Sequence, residues 1–175
     1  GLVGPNGAGK TTLLEAIAGL HIPESGTIKI NDEISTSVNS RSYVGFMPES
    51  VTWRGLGTPR KWLHRLSVMR GCENTVDDLL QTVGLGDRDN HLLDSLSKGM
   101  KQRLSLAASL IGMPELLLLD EPLNGLDPVA QEALKNLLKN LVKEGKCVIV
   151  SSHLLAEIEL FVDYVIILHK GTIAI

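Results

Sequence analysis

The sequence predicts an α/β fold: a parallel-sheet core, a small antiparallel β part and an inserted helical lobe. Three observations carry that reading. A glycine-rich loop, Gly4-Pro5-Asn6-Gly7-Ala8-Gly9-Lys10-Thr11-Thr12, opens a helix directly after a short apolar run. The consecutive leucines Leu116 to Leu119 show no alternation, which is the habit of a strand buried on both faces of a parallel sheet. A second such run, Cys147 to Val150, follows a helical stripe of Ala130, Ala133, Leu134, Leu137, Leu138 and Leu141. Strand, helix and strand of this kind make one right-handed crossover unit.

The elements follow in order. Leu13, Leu14, Ile17 and Ala18 recur at helical spacing after the loop, and Gly19 with Pro23 ends that helix. Thr27 to Ile30 alternates and reads as a strand that turns at Asn31-Asp32. Tyr43 to Met47 is a further strand, closed by Pro48. Beyond it, Gly, Pro and polar residues break the text up, and the apolar positions fit helices. Residues 49–114 are therefore expected to form the lobe, and 1–48 with 115–175 the core of a single domain. Leu104, Ala107, Ala108 and Ile111 mark the buried stripe of a helix that Ser97 is suited to cap. Tyr164 to Leu168, His169-Lys170-Gly171 and Thr172 to Ile175 read as a closing hairpin.

Composition excludes several classes. A net charge of −3 provides no basic field for nucleic acid, so no nucleic-acid partner is expected. No apolar run approaches the roughly 18 residues of a membrane span, so a membrane role would need another chain. Cys72 and Cys147 lie far apart without metal-type spacing and imply a reducing compartment. They, with Trp53 and Trp62, take structural readings. Only Gly1-Leu2-Val3 precedes the loop, although such a loop needs a buried strand to launch it. The chain therefore reads as a piece of a longer protein, cut close to its loop and ending abruptly, whose own activity is in doubt.

The loop matches the phosphate-binding pattern G-x-x-x-x-G-K-T/S. Gly4, Gly7 and Gly9 allow backbone conformations that turn N–H groups inward as a nest for phosphate oxygens. Lys10 supplies a point charge, the Thr11 hydroxyl is placed for Mg²⁺, and the helix adds its positive end. A plain glycine turn explains the glycines. It does not explain a cation in the first turn, where it opposes the dipole. In open α/β sheets, ligands bind beyond the carboxyl ends of the strands. Three strand ends bring the loop, Asp120-Glu121 and Ser152-His153 to that edge. Asp120 is suited to hold Mg²⁺ through water, and Glu121 to deprotonate a water attacking a γ-phosphate. The pleat is expected to make the two carboxylates diverge. Lys98, Lys101 and Arg103 crowd charge at the start of their helix, a conflict that a bound anion would relieve.

This combination resembles the ATP-binding cassette (ABC) ATPases, members of the P-loop NTPase fold. Gly4 to Thr12 resembles their Walker A loop, including the nucleotide-binding Asn6, Gly7, Ala8, Gly9, Lys10, Thr11 and Thr12. Leu96 to Gln102 is similar to the signature motif L-S-G-G-Q, with Ser97, Lys98, Gly99 and Met100 as the segment acting in trans. Leu116 to Glu121 resembles Walker B, Asn124-Gly125-Leu126-Asp127 the D-loop with its Asp127, and His153 the switch histidine. Lys98 and Met100 depart from glycine and glutamine, and Glu49 after Phe46-Met47-Pro48 stands where the Q-loop holds glutamine, a metal-shell position. Asp127 before Pro128 is equally a helix N-cap. The residue that stacks on adenine would lie upstream of Gly1.

The resemblance implies catalytic Glu121, His153 and Lys10, ATP and Mg²⁺ as ligands, and Thr11, Asp120 and Glu49 around the metal. It implies a head-to-tail sandwich with a second ABC ATPase domain, expected to be a homodimer. It also implies a separate transmembrane permease and a cytoplasmic place on the inner face of the membrane. Met47-Pro48-Glu49, Ser97 to Met100 and Ser151 to Glu157 resemble the drug-resistance exporter branch, so export is expected. The alternatives are a soluble ABC-type ATPase acting on ribosomes or DNA, and a nucleotide-binding regulator without turnover.

Overall fold

The computed structural model describes residues 1–51, 57–72 and 75–174; Trp53 and the hairpin's final Ile175 lie outside them. In chain order the elements begin with β1 (Leu2–Val3), α1 (Lys10–Ile17), β2 (Lys29–Ile30), β3 (Glu33–Ile34), α2 (Val38–Ser42) and β4 (Val44–Met47). Then come α3 (Pro59–Met69), α4 (Val76–Thr82), α5 (Lys98–Ser109), β5 (Leu116–Leu119) and α6 (Pro128–Lys143). The last are β6 (Cys147–Ser152), α7 (Leu155–Ile158), β7 (Ile166–His169) and β8 (Thr172–Ile173). The main sheet runs β4-β5-β6-β1-β7-β8, parallel throughout except for β8, which pairs antiparallel with β7. β2 and β3 form a separate antiparallel pair, so the α/β fold with its small antiparallel part is as the sequence predicts.

The leucine strand is central for the reason its lack of alternation implies. Leu117 and Leu119 point into a core with Leu104, Leu106, Leu134, Leu138 and Leu141. Leu118 points the other way, into a core with Leu2, Leu14, Val44 and Leu168. Both faces are dry, and polar residues at these positions would cost desolvation on either side. β6 joins β5 in register, Leu119 opposite Val150, and β1 joins β6 with Val3 opposite Ser152. Three neighbouring strands therefore end together at one edge.

Local signals set most boundaries. Asn31 and Asp32 take positive φ of 51° and 64°, as a two-residue hairpin turn requires, and β3 follows them. Asp127 caps α6 by accepting from the amides of Val129 and Ala130, both at 3.0 Å, with Pro128 in the first turn. α2 was not legible, because Val38, Asn39 and Ser40 are weak helix formers. Ser37 starts it by accepting from the Ser40 amide at 3.0 Å. Tyr43 closes this helix and is not the first residue of β4, and β7 begins at Ile166, after an exposed Tyr164.

Between β4 and β5 the described chain is helical. Leu63 of α3 and Leu80 of α4 are buried with Leu104 of α5. On the outside, Arg60 bridges Asp77 at 2.5 Å and Asp89 at 2.7 Å. Its hydrogen bond holds the Asp89 carboxyl below the usual carboxylate range. α5 also lies directly on β4 at Gly45, where a Cβ would run into the Ser109 carbonyl, the Leu117 side chain and the Pro114 ring. Gly45→Ala is therefore expected to destabilise the fold by about 1–3 kcal/mol, the range for overpacking. Chemical denaturation measures this, and an unchanged midpoint would contradict the close approach.

Candidate active site

The glycine loop leaves β1 under tight constraint. A Cβ at Gly4 would meet the Leu168 carbonyl of β7, so this position admits no side chain. Gly7 and Gly9 take φ of 79° and 102°, conformations that side chains disfavour. Ala8 donates to the Pro5 carbonyl at 3.1 Å; among the described residues, the amides of Asn6, Gly7 and Gly9 donate to no backbone carbonyl. Among the described residues, no side chain caps the start of α1. Open donors at a helix N-terminus make an anion cradle. The Lys10 side chain is buried and folds back, donating to the Gly4 carbonyl at 2.7 Å and lying 3.2 Å from Glu121 Oε1. These partners compensate the conflict between its charge and the helix dipole.

The two carboxylates after β5 do separate, but the pleat is not the cause. Glu121 has a positive φ of 47°, a left-handed conformation that costs a residue with a Cβ on the order of 1–3 kcal/mol. That turn sends the Glu121 side chain towards Lys10, with Oε2 2.9 Å from His153 Nδ1. Asp120 is fully buried. Its Oδ2 accepts from the Thr11 hydroxyl and its Oδ1 from the Ser151 hydroxyl, both at 2.6 Å. Ser151 Oγ also accepts from the Glu121 amide at 2.8 Å.

A cleft of about 430 Å³ collects the site. Asn6, Gly7, Gly9, Lys10, Thr11 and Thr12 line one side, and Glu49, Glu121, Asn124 and His153 the other. Ala8 is buried beneath the loop, and Asp120 sits behind Thr11 without lining the cleft. Glu49 Oε1 accepts from the Asn124 side chain at 3.2 Å. Ser97, Lys98, Gly99, Met100 and Asp127 do not line it. Ser97 caps α5 by accepting from the Met100 amide at 3.2 Å, and Lys98 lies over Gly125.

Three residues make contacts that their sequence motifs did not assign. The Gly4 carbonyl receives Lys10, Asn124 holds Glu49, and Ser151 joins Asp120 to the Glu121 backbone. Only Ser151 carried a signal, as a hydroxyl following the buried run Val148 to Val150. The paired Thr11 hydroxyl and Asp120 carboxylate are hard oxygen donors of the kind Mg²⁺ takes alongside substrate phosphates. No group of three or more His, Cys, Asp or Glu residues suited to a metal occurs among the described residues. The Thr11–Asp120 pair fits an ion that takes oxygen donors.

Comparison with known proteins agrees with this chemistry. A family model described as ABC transporter matches residues 1–124. The lantibiotic transport ATP-binding protein SrtF of Streptococcus pyogenes is 36% identical over 172 residues, covering 98% of this chain and 75% of that protein. The bacitracin transport ATP-binding protein BcrA of Bacillus licheniformis is 40% identical over 176 residues, covering 98% of this chain and 58% of its own length. An ATP-binding subunit of an ABC transporter superposes with a TM-score of 0.83 at 31% identity, over 99% of this chain and 75% of that one. A dimeric ATP-binding cassette in a post-hydrolysis state with ADP and Pi superposes with a TM-score of 0.87 at 25% identity, over 99% and 82%. These relatives do not favour the ribosome- or DNA-directed alternative. By its loop, its carboxylate pair and these matches, the chain belongs to the ABC transporter family and is one of its ATP-binding-cassette ATPases.

Proposed function

We propose that this chain hydrolyses ATP to power export across a membrane, as the ATPase subunit of a transporter. One observation carries the reading: Lys10, Glu121 and His153 converge on a single cleft beside the glycine loop, within 3.2 Å and 2.9 Å of one another through Glu121. Mg²⁺, held by Thr11 with Asp120 behind it and Glu49 facing, would supply charge neutralisation at the phosphates. The loop amides and Lys10 bind and orient the γ-phosphate. A phosphate gives Lys10 and His153 a stronger anion than Glu121 to face. The Glu121 carboxylate is thereby released to take the proton of the attacking water. The names of SrtF and BcrA, both transport ATP-binding proteins, support transport; export rests on the exporter-type motifs.

The site is shared between two copies in this reading. Residues 49–114 form the lobe that presents Ser97 to Met100 to a second cassette, and 1–48 with 115–175 form the core that holds ATP. Gly99 supports it. A Cβ there would make only ordinary contacts with Leu126 and Ala130, and its φ is not positive, so nothing inside the chain demands glycine. Gly99→Ala is accordingly expected to keep or raise stability by up to about 1 kcal/mol, the helix-propensity gain. It should nonetheless cut ATP turnover, because a methyl now stands where the partner's phosphate approaches. Thermal melting and a phosphate-release assay test this together; normal turnover would contradict the shared site.

No helix among the described residues is long and apolar enough to cross a membrane. A permease is therefore proposed as a separate chain, with this one on the cytoplasmic face. An apolar groove of about 280 Å³, lined by Phe46, Pro48, Val51, Trp62, Leu66 and Met69, suits a permease helix. It lies next to Glu49 through Pro48, so occupancy there would be felt at the nucleotide.

A further inference from the structure

We infer that Ser151 is a positioning residue for hydrolysis, fixing Glu121 through its backbone and Asp120 through its carboxylate. β5 and β6 pair with Leu119 opposite Val150, so the next residues, Asp120 and Ser151, lie side by side where β5 ends and β6 runs on to Ser152 beside β1. The Asp120 amide still finds a ladder partner, the Met47 carbonyl at 2.9 Å. The Glu121 amide has turned out of the ladder at φ 47°, and a buried N–H needs an acceptor. The Ser151 hydroxyl is that acceptor, at 2.8 Å, while its own proton goes to Asp120 Oδ1 at 2.6 Å. Ser151 is 1% exposed and Asp120 fully buried, so water is not available to replace either bond.

One hydroxyl thus holds both carboxylate residues. Valine or alanine would fill the strand position without stabilising the left-handed turn at Glu121. The turn aims Glu121 between Lys10 and His153, and relaxation towards an ordinary φ would swing the carboxylate out of that gap. The hydroxyl does not line the cleft, so it acts through the placement of Glu121 and Asp120 and not by touching nucleotide.

This inference rests on Glu121 serving as the base. The test measures steady-state ATPase kinetics and melting of the complete protein carrying Ser151→Ala, Ser151→Cys, Ser151→Thr, Glu121→Gln, and Ser151→Ala combined with Glu121→Gln. Ser151→Ala is expected to lower kcat by about 10- to 100-fold, the scale of an ångström-level misplacement. KM for ATP should stay within about twofold, as for an interaction felt in the transition state. Ser151→Cys keeps the volume with a weaker donor and acceptor and should lose kcat likewise, which covers a folding defect in the alanine variant. Ser151→Thr keeps the hydroxyl and should recover most of the loss. The double variant should turn over no more slowly than Glu121→Gln alone.

Parental kcat in both the alanine and cysteine variants would overturn the inference. So would a rise in KM alone, a threonine variant as impaired as alanine, or a full additional loss in the double variant. Retained turnover in Glu121→Gln by itself would instead overturn the proposed hydrolytic role of Glu121.

Discussion

Glu121→Gln is expected to retain ATP and to slow turnover by about 10²–10⁴-fold, the range for loss of a general base. The substitution is isosteric. Its amide oxygen still accepts from Lys10 and the site keeps its shape, but an amide does not take a proton from water. Glu121 is buried, and among the described residues its Oε1 has no hydrogen-bond partner beyond the nearby Lys10 ammonium. A buried carboxylate kept at that cost in a left-handed turn is hard to explain by stability alone. Equilibrium nucleotide binding and single-turnover hydrolysis separate the two effects. Near-parental turnover would remove Glu121 from the chemistry.

Lys10→Ala is expected to act on binding itself. Losing a charge-assisted contact to phosphate weakens affinity by about 10- to 100-fold, from roughly 1.5–3 kcal/mol per such bond. A second effect follows from the ion pair. Removing Lys10 leaves Glu121 buried with His153 as its remaining partner, and breaking a buried pair from one side costs up to about 3–5 kcal/mol. The melting temperature should therefore fall in Lys10→Ala and recover when Glu121→Gln is added, while ATP affinity stays low in both. Unchanged affinity would count against the cradle, and a melting loss that Glu121→Gln does not relieve would count against the pair.

Much of this architecture was legible because it is local. The glycine loop, the four-leucine strand and the Asp-Pro cap each carry their physics within a few residues, and each forms where expected. The carboxyl-edge rule then brings the loop, Asp120 and His153 near one another. The rest was set by tertiary context. α2 has weak formers held by one serine cap, and β3 is two residues long, below any periodicity signal. Glu121's left-handed turn has no sequence mark, since glutamate is not a residue that announces positive φ. Asn124 and Ser151 found their partners across 75 and 31 positions respectively, which no local pattern encodes.

The departures from the family pattern also gain physical content. Glu49 faces the cleft and is held by Asn124, so its extra charge lies on the nucleotide side. Lys98 spreads over Gly125, where a Cβ would collide with it, linking the signature segment to the loop that leads to Asp127. Both substitutions are accommodated by neighbours that lack bulk or supply a donor.

In the proposed arrangement one chain holds half of an ATP site. Light scattering of Glu121→Gln, with and without Mg²⁺ and ATP, tests it most directly, since slow hydrolysis preserves the ATP-bound state. The expected result is a single mass without nucleotide and twice that mass with ATP, reversed by adding Gly99→Ala. A mass that stays at one copy while ATP is demonstrably bound would contradict the shared site.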